Sequence, residues 1–103
     1  MVDFQKLTGF EWDAGNATKS LTKHHVNARE SESVFADPDV LVLDDLAHSG
    51  VEPRWKAFGR TSGGPSERHL VVSFTVRGPL VRVISARPMN RKERKIYEQK
   101  TSS

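Results

Sequence analysis

Four arginines, Arg60, Arg82, Arg87 and Arg91, carry the strongest chemical signal in this 103-residue chain. A guanidinium presents a planar fork of donors that fits phosphate oxygens, and it stays charged at any working pH. Set around a phosphodiester, such groups would stabilise the extra negative charge of a pentacoordinate transition state. The competing reading makes them solvated surface charges or partners for carboxylates. Four histidines add acid–base candidates. His69 can lie beside the arginines on a sheet face as a general base. His24 and His25 are adjacent, so on a helix they diverge by about 100° and do not share a small site. His24 near a helix end also suits the helix dipole.

Other chemistries find no support. The chain has no cysteine, hence no thiolate nucleophile, disulfide or Cys-ligated metal. It has no His-Glu-x-x-His and no His-x-His, and no metal or cofactor is expected. Gly-x-Ser-x-Gly is missing. The glycines of the Gly59–Gly64 stretch are not followed by Lys-Ser or Lys-Thr, which disfavours a nucleotide-binding P-loop. Asp44-Asp45 reads as a solvated strand end rather than a catalytic dyad. Trp12 and Trp55 read as core aromatics. Tyr97 can either pack inward or contact nucleotide.

Charge is divided near the midpoint. Residues 1–52 hold 4 Lys+Arg against 10 Asp+Glu, and residues 53–103 hold 12 against 3. The halves therefore carry −6 and +9, which give the net +3 of the whole chain. Salt screens such charge beyond about 10 Å, so a concentrated cationic half marks a local phosphate-contacting face. No apolar run is long enough to span a membrane. The start lacks the basic-then-apolar order of a signal peptide, which makes the cytoplasm the expected compartment.

The elements that must position these residues fit one α+β domain over residues 1–103, its core about 9–99. Gly9–Trp12 reads as a short strand feeding a helix capped by Asp13 and running to about Lys23. Asn27-Ala28-Arg29-Glu30 has the form of a capping box and opens a second helix, stopped at Asp37-Pro38. Extended segments follow at Val40–Leu43, Arg54–Arg60, His69–Val76 and Leu80–Arg87. Asn90-Arg91-Lys92-Glu93 is a second capping box, opening a C-terminal helix. Lys92, Lys95 and Lys100 read as ordinary helix-surface residues. The expected architecture is a twisted antiparallel sheet of four or five strands with two N-terminal helices and one C-terminal helix. A two- or four-residue turn at Arg77-Gly78-Pro79 puts Val72 and Phe74 on one face with Val81, Val83 and Ser85. Arg82 then lies on the other face with Ser73, Thr75 and Ile84; a three-residue turn reverses this. The open side would carry Arg54, Lys56, Arg60, His69, Ser73 and Arg82.

A family resemblance enters with the order of short motifs. Phe10-Glu11-Trp12-Asp13 is followed by Lys23-His24, Val34-Phe35, Glu52-Pro53-Arg54 and Gly59. Then come Val81-Arg82-Val83-Ile84-Ser85-Ala86-Arg87, Glu93-Arg94 and Tyr97-Glu98. Individually weak and together specific, they closely resemble the BrnT family, the toxin half of BrnT/BrnA type II toxin–antitoxin systems. The resemblance covers Phe10 to Glu98. It implies a RelE-like ribonuclease fold and a metal-independent endoribonuclease whose RNA cleavage halts translation. It also implies a neutralising BrnA antitoxin with a ribbon-helix-helix domain, and contact with promoter DNA only through that complex. Matching motifs carry over Lys23, His24, Arg54, Arg82, Arg87, Arg91, Glu93 and Tyr97; Arg60 is added by the sheet geometry. His25 stands where the family commonly has glycine.

The resulting expectation is catalysis by Arg82 and Arg87 on the phosphate, with His69 or His24 as base. Lys23, Arg54, Arg60, Arg91 and Tyr97 would hold the RNA. The alternative is a non-catalytic nucleic-acid-binding or regulatory subunit acting only in a complex.

Overall fold

The computed structural model describes residues 7–16, 23–48, 50, 52–63 and 67–101. Five strands, β1 (Gly9–Glu11), β2 (Leu41–Asp44), β3 (Trp55–Arg60), β4 (His69–Arg77) and β5 (Leu80–Pro88), form one sheet in the order β1-β5-β4-β3-β2. Helix α1 (Ala28–Val34) precedes β2, and α2 (Arg91–Thr101) follows β5. The α+β class stands, but the sheet is mixed rather than wholly antiparallel: β1 pairs parallel with β5. Parallel neighbours need a long crossover, and the intervening helix and three strands supply it. The helix expected from Asp13 falls largely on residues 17–22, outside the described residues. Lys23 and His24 have helical backbone.

Both capping boxes form. The Asn27 side chain accepts from the Glu30 amide at 2.8 Å while Glu30 accepts from the Asn27 amide at 3.2 Å. Asn90 and Glu93 repeat the exchange at 2.8 and 2.9 Å. Each box satisfies amides that a helix start leaves without partners. α1 ends where Asp37-Pro38 cannot continue it.

Alternation splits β3 and β4 between the two faces. Ala57, Leu70, Val72 and Phe74 are buried on one, with Val81, Val83 and Ala86 of β5. α1 covers this face with Val34, and Phe35 meets Phe74 edge-on, ring centroids 5.0 Å apart. Burying each such large side chain contributes about 1.5–3 kcal/mol. Trp12 and Trp55 pack against the same core, as their types suggested. Asp44 is exposed, whereas Asp45 is buried rather than solvated. The second face has a smaller core of Phe58, Val71 and Tyr97, with Leu41, Met89 and Ile96 around it. α2 therefore lies over one end of that face, and among the described residues no other helix packs on it.

The β4–β5 turn has two residues, since Arg77 pairs with Leu80. Gly78 takes φ +60°, and Pro79 fixes a negative φ behind it, the combination of a type II′ hairpin turn. Val81 and Val83 thus join Val76 and Phe74, and Arg82 joins Thr75 on the open face. The expectation fails at Ser85. A bulge lets Phe74 pair with Val83 and Ser73 with Ser85, so Ile84 is extra and the alternation shifts by one. Ser85 moves to the open face and Ala86 to the core.

Candidate nucleic-acid interface

The bulge makes the open face what it is. Arg82 and Arg87 are five residues apart, so regular alternation would point them to opposite sides. With Ile84 extra, Arg82 pairs with Thr75 and Arg87 with Val71, and both stand on the open face. Between them lie the Ser73–Ser85 pair and Lys56, which pairs with Ser73 from β3. Thr75 and Val71 are four residues apart along β4, which separates the two arginines by about 13 Å of strand.

Arg87 stands where β5 meets α2. Its Nη1 and Nη2 donate to Glu93 Oε1 and Oε2, both at 2.7 Å, and Nη1 also reaches the Pro88 carbonyl at 3.2 Å. Glu93 is the same residue that caps α2 through the Asn90 amide. The hydrogen bonds from Arg87 hold its carboxyl below the usual range against the opposing effect of burial; the Asn90 amide and the Lys56 charge add to the depression. One carboxylate thus faces two cations here, with Arg91 exposed on the first turn of the helix.

Arg82 is held differently. Its Nη1 donates to Glu11 Oε1 and Asp13 Oδ2, each at 2.8 Å, and its Nη2 to Asp13 Oδ1 at 3.1 Å. The side chain is 15% exposed, against 36% for Arg87. It lines a polar cleft of about 210 Å³ with Arg54, Arg77, Glu52 and Thr75. Arg77 is in turn paired with Glu52, Nε to Oε2 at 3.1 Å.

Against this geometry, comparison with known proteins is decisive. The model of the family described as the ribonuclease toxin BrnT of type II toxin–antitoxin systems matches residues 12–93. The chain belongs to the BrnT family. No curated protein matches it. A type II toxin has an antitoxin partner, and a ribonuclease toxin has an RNA target. Among the described residues no helix is long and apolar enough to cross a membrane, and no group of three His, Asp or Glu is placed to hold a metal.

The other expected site residues of this BrnT toxin are scattered. Arg60 pairs with His69 at the far end of β4, six residues from the Arg82 position and so about 20 Å away along the strand. Its Nε donates to the Tyr97 hydroxyl at 3.0 Å, and Asp37, Asp39 and Glu67 lie within 3.7 Å of its guanidinium. Arg60, expected to hold the RNA, is thus met by three carboxylates and stands apart from Arg82 on the sheet. Tyr97 is 2% exposed and cannot stack on a base. Its hydroxyl donates instead to Asp37 Oδ2 at 2.6 Å. The alternation missed Asp37, whose only sequence signal is the proline after it.

The two candidate bases part company. His69 is half-buried on the open face, edge-on to Tyr97 with centroids 5.7 Å apart. Burial, then the Arg94 charge, holds its imidazole below the ordinary value, so it is neutral at pH 7. His24 and Lys23 lie on the α1 side. The His24 and His25 carbonyls accept from Arg68 at 3.3 and 2.9 Å, and Arg68 also pairs with Glu30 of α1 at 3.2 Å. Neither residue belongs to the Arg87 surface.

Proposed function

We propose that this BrnT-family chain is an endoribonuclease that cuts RNA on the open sheet face and so halts translation in the cytoplasm. A BrnA-type ribbon-helix-helix antitoxin neutralises it, and promoter DNA is met only through that complex. The family match carries this reading. The RelE-like character of the fold belongs to the same proposal, as does independence from metal.

The reaction is attack of a ribose 2′-oxygen on the adjacent phosphorus. A P–O2′ bond forms, the P–O5′ bond breaks, and a 2′,3′-cyclic phosphate and a 5′-hydroxyl result. Arg87 stabilises the added charge on the phosphorus, supported by Lys56. Arg91 holds the neighbouring phosphate, and Arg82 with Arg54 meets the strand farther along the face. His69, neutral and on the same face, takes the 2′-hydroxyl proton and a water-borne proton goes to the 5′-oxygen. Arg60, Tyr97, Lys23 and His24 have no part.

Purified protein incubated with labelled RNA in chelator tests this directly. The wild type should produce fragments ending in cyclic phosphate, and Arg87→Ala should cut about 10²-fold more slowly while remaining folded by circular dichroism. Undiminished cutting by that variant removes Arg87 from the centre. Intact RNA with wild-type protein favours the second reading, a non-catalytic subunit. The capture of Arg60, Arg77 and Arg82 by carboxylates is the observation on its side.

A further inference from the structure

The geometry points to Glu93 as a positioning residue that presents Arg87 to the scissile phosphate, and this rests on the ribonuclease reading above. A guanidinium has five N–H donors. Glu93 takes one from each terminal nitrogen of Arg87, and the Pro88 carbonyl takes the second from Nη1. Among the described residues, Nε–H and the remaining Nη2–H have no acceptor. These two hydrogens form a side-on fork, the shape that receives two phosphate oxygens. The carboxylate therefore occupies the end of the guanidinium and leaves its phosphate-binding side open. It fixes the plane of the group without filling the site.

Glu93 is itself fixed from several directions. Its backbone amide donates to Asn90 Oδ1 at 2.8 Å, and its Oε1 accepts from the Asn90 amide at 2.9 Å. Farther along α2, Tyr97 is bonded to Asp37 and Lys100 donates to the Val40 carbonyl at 2.7 Å. The helix is pinned across the sheet at three places, so the Arg87 clamp does not depend on a loose surface side chain. A group held this way is organised before substrate arrives, which is when electrostatic stabilisation is most effective. Arg82 lacks that arrangement, since two carboxylates crowd it and less of its side chain is exposed.

A double-mutant cycle separates this role from helix capping. Cleavage rates are measured for wild type, Glu93→Ala, Arg87→Ala and the double variant, with Asn90→Ala as the control that breaks the same cap without touching Arg87. Glu93→Ala should lower kcat by about 10- to 100-fold with little change in KM. The double variant should be no slower than Arg87→Ala alone. Asn90→Ala should lower the melting temperature comparably but cost kcat far less than Glu93→Ala, since the Asn90 amide still reaches Glu93 Oε1 and the Arg87 pair remains. If Glu93→Ala does not fold, Glu93→Gln retains an acceptor for the Asn90 amide while losing the charged pair, and replaces it in the cycle. Additive losses, an equal kcat loss in Asn90→Ala, or faster cleavage by Glu93→Ala each overturn the assignment. Should wild type bind but not cut RNA, the same cycle is run on binding of a 2′-deoxy strand, and additivity there overturns it too. A wild type that neither cuts nor binds sinks both this inference and the ribonuclease reading.

Discussion

Tyr97 was open to two sequence readings, and burial decides between them. Its hydroxyl donates to Asp37 and accepts from Arg60, joining α2 to the turn after α1 and to β3. Hydrogen bonds to charged partners contribute about 1.5–3 kcal/mol, so Tyr97→Phe should cost about 2 kcal/mol, read from urea unfolding. Burial, then the Asp37 carboxylate, pushes the phenol up to about 12. The chain has one tyrosine, so ultraviolet absorbance of the phenolate reports this group alone. Native protein should titrate near 12; a midpoint near the ordinary 10 contradicts the buried network. The linkage has two limbs. Burial alone would raise the Asp37 carboxyl, but bonds from Tyr97, the Asp39 and Arg60 amides and the Arg60 charge outweigh it and lower it. Its contribution is present above the unfolded value near 4 and is lost as pH falls through the lower native one. The phenol keeps its proton longer in the native state than in the unfolded chain. Stability therefore also falls as pH rises from about 10 towards 12, and that alkaline loss should disappear in Tyr97→Phe.

At the level of elements, close approach and backbone sign explain two small residues' positions. α1 sits so near β3 that a Cβ on Gly59 would lie 2.8 Å from Val34 Cγ1 and 3.1 Å from the Val34 carbonyl oxygen. Gly59→Ala should therefore destabilise by about 2 kcal/mol, overpacking outweighing the entropy gained from removing a glycine. His25 presents the reverse case. It is exposed at φ +55°, the left-handed region where an L side chain is strained. His25→Gly should raise stability by about 1 kcal/mol, since its contact with Arg68 runs through the backbone carbonyl and survives. A lower unfolding midpoint for that variant would refute the strain. Both capping boxes and the alternation of β3 and β4 were legible, because local spacing dictates them. The bulge was not. Extra residues leave no local mark in a run such as Val81–Arg87, and only the whole register shows that Ser85 and Ala86 have exchanged faces. The parallel β1–β5 pair was hidden for a similar reason, as partner choice across so many residues is not a local property.

Over the whole molecule, the acidic half proves to be a partner for much of the basic half. Arg60 meets Asp37 and Asp39, Arg68 meets Glu30, Arg77 meets Glu52, and Arg82 meets Glu11 and Asp13. Each pair joins a cation from the second half to a carboxylate from the first. The +9 of residues 53–103 is thus a poor guide to the cationic surface a ligand meets. Composition revealed the split but not its internal neutralisation, which depends on how β1 and α1 are laid beside the later strands. Among the described residues, Arg91, Lys92 and Lys95 make no ion pair, and Lys56 and Arg87 share a single carboxylate. On the proposed reading, the described cations of the second half that no carboxylate of the first half holds gather at α2 and in the middle of the open face. Arg82 must trade a carboxylate for phosphate to meet the strand. Counterion release makes that partition measurable, because each phosphate contact on a single strand adds about 0.7 to the slope of log affinity against log salt. Lys56→Ala and Arg91→Ala should each flatten the slope for an uncleavable RNA by about that amount. Arg77→Ala should leave it unchanged, since Glu52 already neutralises that group and would itself be released into solvent. A slope that flattens as much for Arg77→Ala as for Lys56→Ala would mean that the paired arginines exchange their carboxylates for phosphate, and the whole basic half would then count.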